Sequence, residues 1–365
     1  MRRPERALAA IGASLLVLAG CGPGAAPAAE RSGGQPTAAP DGAAQAQPAA
    51  PAGGQAPAAP PPLEKLQVAF ASVSAVYTPF LIAMDKGYYA EDGLEIEMVH
   101  VGGGVATPAL IAGEIQYSTS AATSVSAILK GAALKVIYTN ADRAGYDLWT
   151  IAPDVRTLAD LMGKAIGVQT RGDTMEIAAR MVLQQNGIDQ NSVNYIAMGV
   201  GSQRLLAIQN GTIPAAILGT SDTAELEAAG VSGRILSDLR KDVRMLYTGA
   251  ATSDQELREH PDRVKRFLRA AVKGREYYKA YRDESIDILT KYNERPREAN
   301  VVDYDDVLPA MPPDASMPVE VQRQDTLFRA EVNGVQPVPA EQIYEYGPVR
   351  EVYREVTASG WQPAR

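Results

Sequence analysis

One passage of turns and caps occurs twice in this sequence, and a repeated passage of that kind points to two similar folding units in one chain. Leu110-Ile111-Ala112-Gly113-Glu114-Ile115 leads to Ser118-Thr119-Ser120, a helical run closed by Gly131, and Leu134-Lys135-Val136-Ile137. About 98 residues later, Ile208-Gln209-Asn210-Gly211-Thr212-Ile213 leads to Gly219-Thr220-Ser221, a run closed by Gly230, and Arg234-Ile235-Leu236. Further upstream, Asp92-Gly93-Leu94 is matched by Asn186-Gly187-Ile188. In both copies a glycine supplies the left-handed residue that ends a helix. The Ser/Thr cluster supplies side chains that cap the next one. The repetition predicts a duplicated βα arrangement spread over two lobes.

The surrounding pattern agrees. Leu66 to Phe70, Leu94 to Val99, Ile115 to Ser118 and Leu134 to Tyr138 read as short strands. Helical runs from Pro79 to Lys86, Ala106 to Ala112 and Thr123 to Lys130 lie between them. Strands alternating with helices predict an α/β fold with mostly parallel sheets. From Leu63 onward about 300 residues remain, enough for two domains. The net charge of −8 and pI near 5.1 argue against nucleic acid and against a basic membrane-binding face.

The N-terminus carries a different message. Arg2, Arg3 and Arg6 precede a mostly apolar run from Ala7 to Leu18, too short to span a bilayer but suited to a secretory signal. It ends in Leu18-Ala19-Gly20-Cys21, which resembles a bacterial lipobox, so residues 1–21 are expected to be a signal peptide whose Cys21 receives a lipid. Cys21 is the only cysteine, which rules out an intrachain disulfide or a cysteine metal cluster. Residues 22–62 contain no Val, Ile, Leu, Met or aromatic side chain, and 32 of these 41 are Ala, Pro or Gly. Such a stretch cannot bury enough apolar surface to offset its ordering entropy, and is expected to be a disordered tether.

In open parallel sheets, ligands bind beyond the carboxyl ends of the strands, where helix N-termini present free N–H groups. Two such edges facing each other form a cleft, and closing it is a hinge motion. The residues also carry a family resemblance. Phe80-Leu81-Ile82-Ala83-Met84-Asp85-Lys86-Gly87-Tyr88-Tyr89-Ala90-Glu91-Asp92-Gly93-Leu94, Gly102-Gly103, and Leu158-Ala159-Asp160-Leu161-Met162-Gly163-Lys164-Ala165-Ile166-Gly167-Val168 are its carriers, with Glu259-His260-Pro261-Asp262 before a long helix. From about Leu66 to Tyr292 the chain resembles the solute-binding proteins for sulfonates, nitrate and thiamine-precursor pyrimidines, a type II periplasmic-binding-protein family. The resemblance implies a two-lobed type II fold with a ligand cleft between lobes, each a mostly parallel sheet flanked by helices. Lobe I would hold residues 63–147 and return over 246–365; lobe II would be 148–245. Ser253-Asp254-Gln255-Glu256 reads as a capping box. Val264, Phe267, Leu268, Ala271 and Val272 then follow helical spacing for packing on lobe I.

Six loops become candidates for the cleft. Ser72, Ser74 and Tyr77 follow the first strand, Tyr77 fitting either a core ring or a ligand contact. Gly102, Gly103, Gly104 and Thr107 fit either an anion cradle or a tight turn before a helix. Ser118, Thr119 and Ser120 sit at a helix start with Thr123 nearby, and three successive hydroxyls favour a ligand role. In lobe II, Thr170 and Arg171 follow a strand, with Asp173 and Glu176 in a capping pattern. Arg171 fits either a partner for a carboxylate or sulfonate or a solvated surface charge. Ser202 in the fifth loop, and Thr220 and Ser221 in the sixth, complete the set. Tyr146 and Trp149 fit either hinge packing or stacking on a flat ligand.

Catalysis finds little support. His100 and His260 are the only histidines; His100 has no serine or acid beside it, His260 sits in a Glu-His-Pro helix start, and neither suggests a hydrolase triad, nor does a metal motif occur. A fungal thiamine-pyrimidine synthase in the wider superfamily uses a cysteine cluster that this chain lacks. The sequence therefore predicts a non-enzymatic, cofactor-free receptor anchored to the membrane by lipid outside the cytoplasm. It would capture a small polar solute (a sulfonate, nitrate, a carboxylate or an aminopyrimidine) by hinge closure. It would then deliver the solute to the permease and ATPase subunits of an ABC importer, as a monomer. The solute is expected to dock on Ser118 to Ser120 while Thr170-Arg171 and Thr220-Ser221 close over it, with Arg171 favouring an anion. A lipid-tethered sensor or adhesion module is the alternative, and a thiamine-pyrimidine biosynthesis enzyme a more distant one.

Overall fold

In the computed structural model, which describes residues 62–364 apart from 200, 220, 221, 224, 225, 228 and 229, the repeated passage becomes two five-stranded sheets of one design. Cys21, the signal segment and residues 22–61 of the expected tether lie outside the described residues, as do Thr220 and Ser221. The strands are β1 (Glu64–Phe70), β2 (Leu94–His100), β3 (Tyr117–Ser118), β4 (Leu134–Arg143) and β5 (Tyr146–Thr150). They continue with β6 (Ala165–Val168), β7 (Asn194–Ala197), β8 (Ala215–Gly219), β9 (Arg234–Asp238) and β10 (Arg244–Ser253). The helices of the first half are α1 (Thr78–Asp85), α2 (Tyr88–Glu91), α3 (Gly103–Ala112), α4 (Ala121–Leu129), α5 (Thr174–Gln185) and α6 (Gly201–Gln209). Those of the second half are α7 (Leu239–Asp242), α8 (Asp254–Glu259), α9 (Pro261–Ala280), α10 (Arg282–Asn293), α11 (Arg297–Val307), α12 (Val319–Asn333) and α13 (Gly347–Ala358).

The first sheet has the order β2-β1-β3-β10-β4 and the second β7-β6-β8-β5-β9. Each holds four strands running one way and a single antiparallel strand in the fourth place. That odd strand is borrowed: β5 carries the chain into the second lobe and β10 brings it back. The sheets change over after Arg143 and again at Arg244, a few residues before the expected boundaries at 147/148 and 245/246. The matched glycines adopt matched conformations, with φ of 74° at Gly93 and 71° at Gly187, and 76° at Gly113 against 67° at Gly211. Only glycine takes this left-handed geometry without strain, so the repeat is written in the turns.

The lobe I core forms around β1, β4 and β10, all largely buried, with α9 laid across it. Val264, Phe267, Leu268, Ala271 and Val272 face inward as their spacing predicts, and the Phe267 ring stacks on Tyr117 with centroids 3.9 Å apart. Ser253 caps α8 by accepting from the Glu256 N–H at 3.0 Å. The second lobe packs both faces of its sheet. Trp149 lies in one of these cores with Ile208, Ile213, Ala216 and Leu218, so packing is the role it takes. No helix among the described residues is long and apolar enough to cross a membrane.

The C-terminal segment ties the lobes together. Arg329 of α12 is buried against Asp325 and donates to the carbonyls of Ala122 and Leu246 in lobe I. Next to it Phe328 is part of the lobe II core, and Glu331 accepts from Gln184 and Gln190 of lobe II.

Candidate functional site

The carboxyl ends of β1, β2, β3 and β6 converge on a cavity of about 610 Å³ between the two sheets. That size falls within the ~300–1,000 Å³ of typical small-molecule pockets. Lobe I contributes Ala71, Ser72, Ser74, Val76, Tyr77, Gly102, Gly104, Ser120, Ala122 and Thr123. Lobe II contributes Tyr146 and the loop from Gln169 to Thr174, and the returning strand adds Tyr247 and Thr248. A groove of about 500 Å³ between α5 and α12 lies away from these strand ends.

Of the residues expected at the site, Ser72, Ser74, Tyr77, Ser120, Thr123, Thr170 and Arg171 line the cavity. Gly103 starts α3 between two glycines that line it. Four expectations are corrected. Ser118 is fully buried in β3, its Oγ accepting from the Ser120 N–H at 3.2 Å, and Thr119 is buried with its hydroxyl donating to the Ala69 carbonyl at 3.0 Å. Consecutive residues cannot share one face of an extended chain, so three hydroxyls in a row cannot all reach a ligand. Thr107 is buried between helices within 3.5 Å of the Ser124 hydroxyl, and Ser202 is exposed on α6 outside the cavity lining.

The polar equipment of the two lobes differs. Helices α3 and α4 both open onto the cavity without a side-chain cap, presenting free N–H groups. The Ser120 Oγ and Thr248 Oγ1 are buried with no hydrogen-bond partner among the described residues. The Tyr77 hydroxyl lies close enough to Ser120 to interact with it; burial pushes its pKa up, against the pull of that contact. Buried hydroxyls without partners are uncommon in folded proteins, and at the cavity those of Ser120 and Thr248 are open to a hydrogen bond with a water or a bound molecule.

Lobe II instead holds its polar side chains in caps and ion pairs. Asp173 caps α5, accepting from the N–H groups of Glu176 at 2.9 Å and Thr170 at 2.7 Å. Burial raises the Asp173 carboxyl above the ordinary aspartate value, against the pull of those N–H bonds. Arg171 pairs with buried Glu176 at 2.9 Å and donates to the Tyr195 carbonyl at 2.7 Å. Glu176 also pairs with Arg180 at 2.7 Å, so the Arg171 charge is only partly met within the lobe.

Tyr146 and Tyr247 stand edge to face at the base of the cavity, centroids 5.2 Å apart. Burial pushes the pKa of both phenols up, so they stay neutral. Tyr247 owes its position to an irregularity in the β4–β10 ladder. Arg244 pairs with Arg143 and Thr248 with Ala141, so four steps along β10 span two along β4. Such a bulge re-aims side chains, and a simple alternation of faces does not foresee it. His100 and His260 do not line the cavity. Among the described residues no group of three or more His, Cys, Asp or Glu is placed to hold a metal ion.

Comparison with known proteins agrees with this architecture. Residues 74–285 match the family described as NMT1/THI5 like, more than half of the chain. The riboflavin-binding protein RibY of Chloroflexus aurantiacus is 25% identical over 252 residues, covering 67% of this chain and 71% of that protein. The periplasmic aliphatic sulphonate binding protein SsuA of Escherichia coli superposes with a TM-score of 0.63 at 16% identity, covering 83% of this chain and 93% of that one. The periplasmic nitrate-binding protein NrtA of Synechocystis PCC 6803 gives 0.62 at 15%, covering 83% and 92%. The fold is that of the periplasmic binding proteins.

Proposed function

We propose that this chain, which belongs to the NMT1/THI5-like family, is the solute receptor of an ABC-type importer, working outside the cytoplasm and held to the membrane by a lipid on Cys21. It acts as a monomer without catalysis and hands its solute to the permease and ATPase subunits. The observation that carries this reading is the cleft itself. Two lobes meet around a cavity whose buried Ser120 and Thr248 hydroxyls and uncapped helix starts await a partner.

Within the candidate solutes, the wall chemistry favours a flat polar organic molecule over an inorganic anion. Three neutral phenols (Tyr77, Tyr146 and Tyr247) suit a ring. Among the described residues Arg171 is the cation that lobe II brings to the cavity lining, and its pairing with Glu176 weakens its pull on nitrate. An aminopyrimidine, or a flavin such as the relative's name specifies, fits these features better than nitrate or a short sulfonate.

The test is thermal unfolding of the protein against riboflavin, an aminopyrimidine, an alkanesulfonate and nitrate. A ligand at a hundred times its Kd adds about 2.7 kcal/mol, a rise of several degrees. Ser120→Ala and Thr248→Val should each weaken the ligand found by about fivefold, the value of one buried hydrogen bond. Ser118→Ala should leave affinity unchanged at the cavity. No shift with any solute, combined with binding to a protein or glycan, would instead favour a lipid-tethered sensor or adhesion module.

A further inference from the structure

Lobe I gives the main cavity a wall rich in hydrogen-bond donors. Helices α3 and α4 both begin at that wall without a side-chain cap. Gly102 and Gly104 line the cavity at the first start, and Ser120, Ala122 and Thr123 at the second. The N–H groups of a helix start can only donate, and they lie at the positive end of the helix dipole.

Two hydroxyls stand beside these starts. Ser120 and Thr248 line the cavity at 8% and 3% exposure, and neither hydroxyl oxygen has a hydrogen-bond partner among the described residues. A bridge between Ser120 and Gly249 brings the two residues to one place. A hydroxyl both donates and accepts, so it can join whatever the helix starts hold. Among the described residues, the carboxylate and the amide of the lining, on Asp173 and Gln169, stand on lobe II instead. Asp173 already accepts from the N–H groups of Thr170 at 2.7 Å and Glu176 at 2.9 Å. A ring that turned amino groups to the lobe I wall would set donors against donors, leaving both without partners away from water. Ring carbonyls would meet the same wall with acceptors.

We infer that the cleft selects flat heterocycles by their edge. It takes a ring whose carbonyl oxygens face the α3 and α4 starts with Ser120 and Thr248, and rejects one that presents amino groups there. This inference rests on the solute-receptor reading and decides between the two ring classes which that reading leaves open. A pyrimidinedione edge, such as the flavin ring carries, suits the wall, and the amino edge of an aminopyrimidine does not. The faces of the ring lie against the phenols, so the tyrosines recognise its flatness and the lobe I wall recognises its edge.

The inference is tested with two probes that share a ring system: lumazine, a pteridine with two ring carbonyls, and the diaminopteridine with amino groups at the same two positions. Calorimetric titration of the full chain is expected to show lumazine binding at least about tenfold more tightly. Ser120→Ala should lower the lumazine affinity by about fivefold, and Thr248→Val does the same where the first variant fails to fold. That preference, together with the loss in a folded variant, supports the inference. Equal affinity for the two probes, or tighter binding of the diamine, would overturn the edge selection while leaving the receptor reading intact. Lumazine binding that neither variant weakens also overturns it, because the ring then sits away from this wall. Binding of neither probe overturns it as well, and the receptor reading is then judged separately by the unfolding shifts with the other solutes.

Discussion

Replacing Asp325 with alanine should lower the stability of the protein by about 3–5 kcal/mol, the cost of leaving a buried charge without its partner. Asp325 and Arg329 are one helical turn apart on α12, and their side chains are 0% and 1% exposed. One carboxylate oxygen accepts from the Arg329 Nε at 2.8 Å and from the Tyr344 hydroxyl at 2.6 Å. The guanidinium also donates to the Ala122 carbonyl at 3.2 Å and the Leu246 carbonyl at 2.8 Å. Ala122 lines the cavity, and Leu246 directly precedes Tyr247 and Thr248, which line it too. The pair therefore fixes the side of the cleft as well as the helix. Denaturant unfolding should show the loss, and affinity for the solute should fall with it. The double variant Asp325→Ala with Arg329→Met should be less damaged than Asp325→Ala alone, because it removes the stranded charge. Recovery should be incomplete, since the two carbonyls lose their donor. A change below about 1 kcal/mol in the single variant would mean that the guanidinium finds another partner and that α12 is not held in this way.

The duplication was legible because it is encoded locally. Turn glycines and helix caps depend on a few adjacent residues, and Gly93, Gly187, Gly113 and Gly211 all take the left-handed conformation their positions require. The capping patterns at Asp173 and Ser253 were readable for the same reason. The site was only partly legible. That a Ser/Thr cluster follows β3 is a sequence fact, but which hydroxyl faces the cleft depends on where a two-residue strand ends, and only Ser120 does. Tyr247 reaches the cleft through a bulge that no alternation announces. Arg171 read as a candidate partner for an anion, although its ion-pair partner Glu176 stood in the capping pattern already noted. The C-terminal segment was the least readable, because its contacts join residues far apart in the chain: Arg329 and Ala122 are separated by 207 positions.

Gly274 shows how far such long-range packing can invert a local rule, and Gly274→Ala should destabilise the protein. By helix propensity alone the change would gain about 1 kcal/mol, since glycine in the interior of α9 is the poorer helix former. The neighbouring helix decides otherwise. A Cβ at this position would lie 2.1 Å from the Pro79 carbonyl oxygen, 3.0 Å from the Ala83 nitrogen and 3.1 Å from the Ala83 Cβ. These belong to α1, and the closest is backbone, so no side-chain rotation relieves the contact. Overpacking of this kind costs about 1–3 kcal/mol and sometimes more, which outweighs the gain in propensity. The helices must separate, and α1 moves with consequences for the site, because it starts immediately after Tyr77. Chemical denaturation should therefore show a net loss of about 1–2 kcal/mol, accompanied by weaker solute binding. Equal or higher stability, as at an exposed helical glycine, would show that α1 and α9 do not approach so closely. Loss of stability with unchanged affinity would show that Tyr77 is held by the sheet rather than by the helix that follows it.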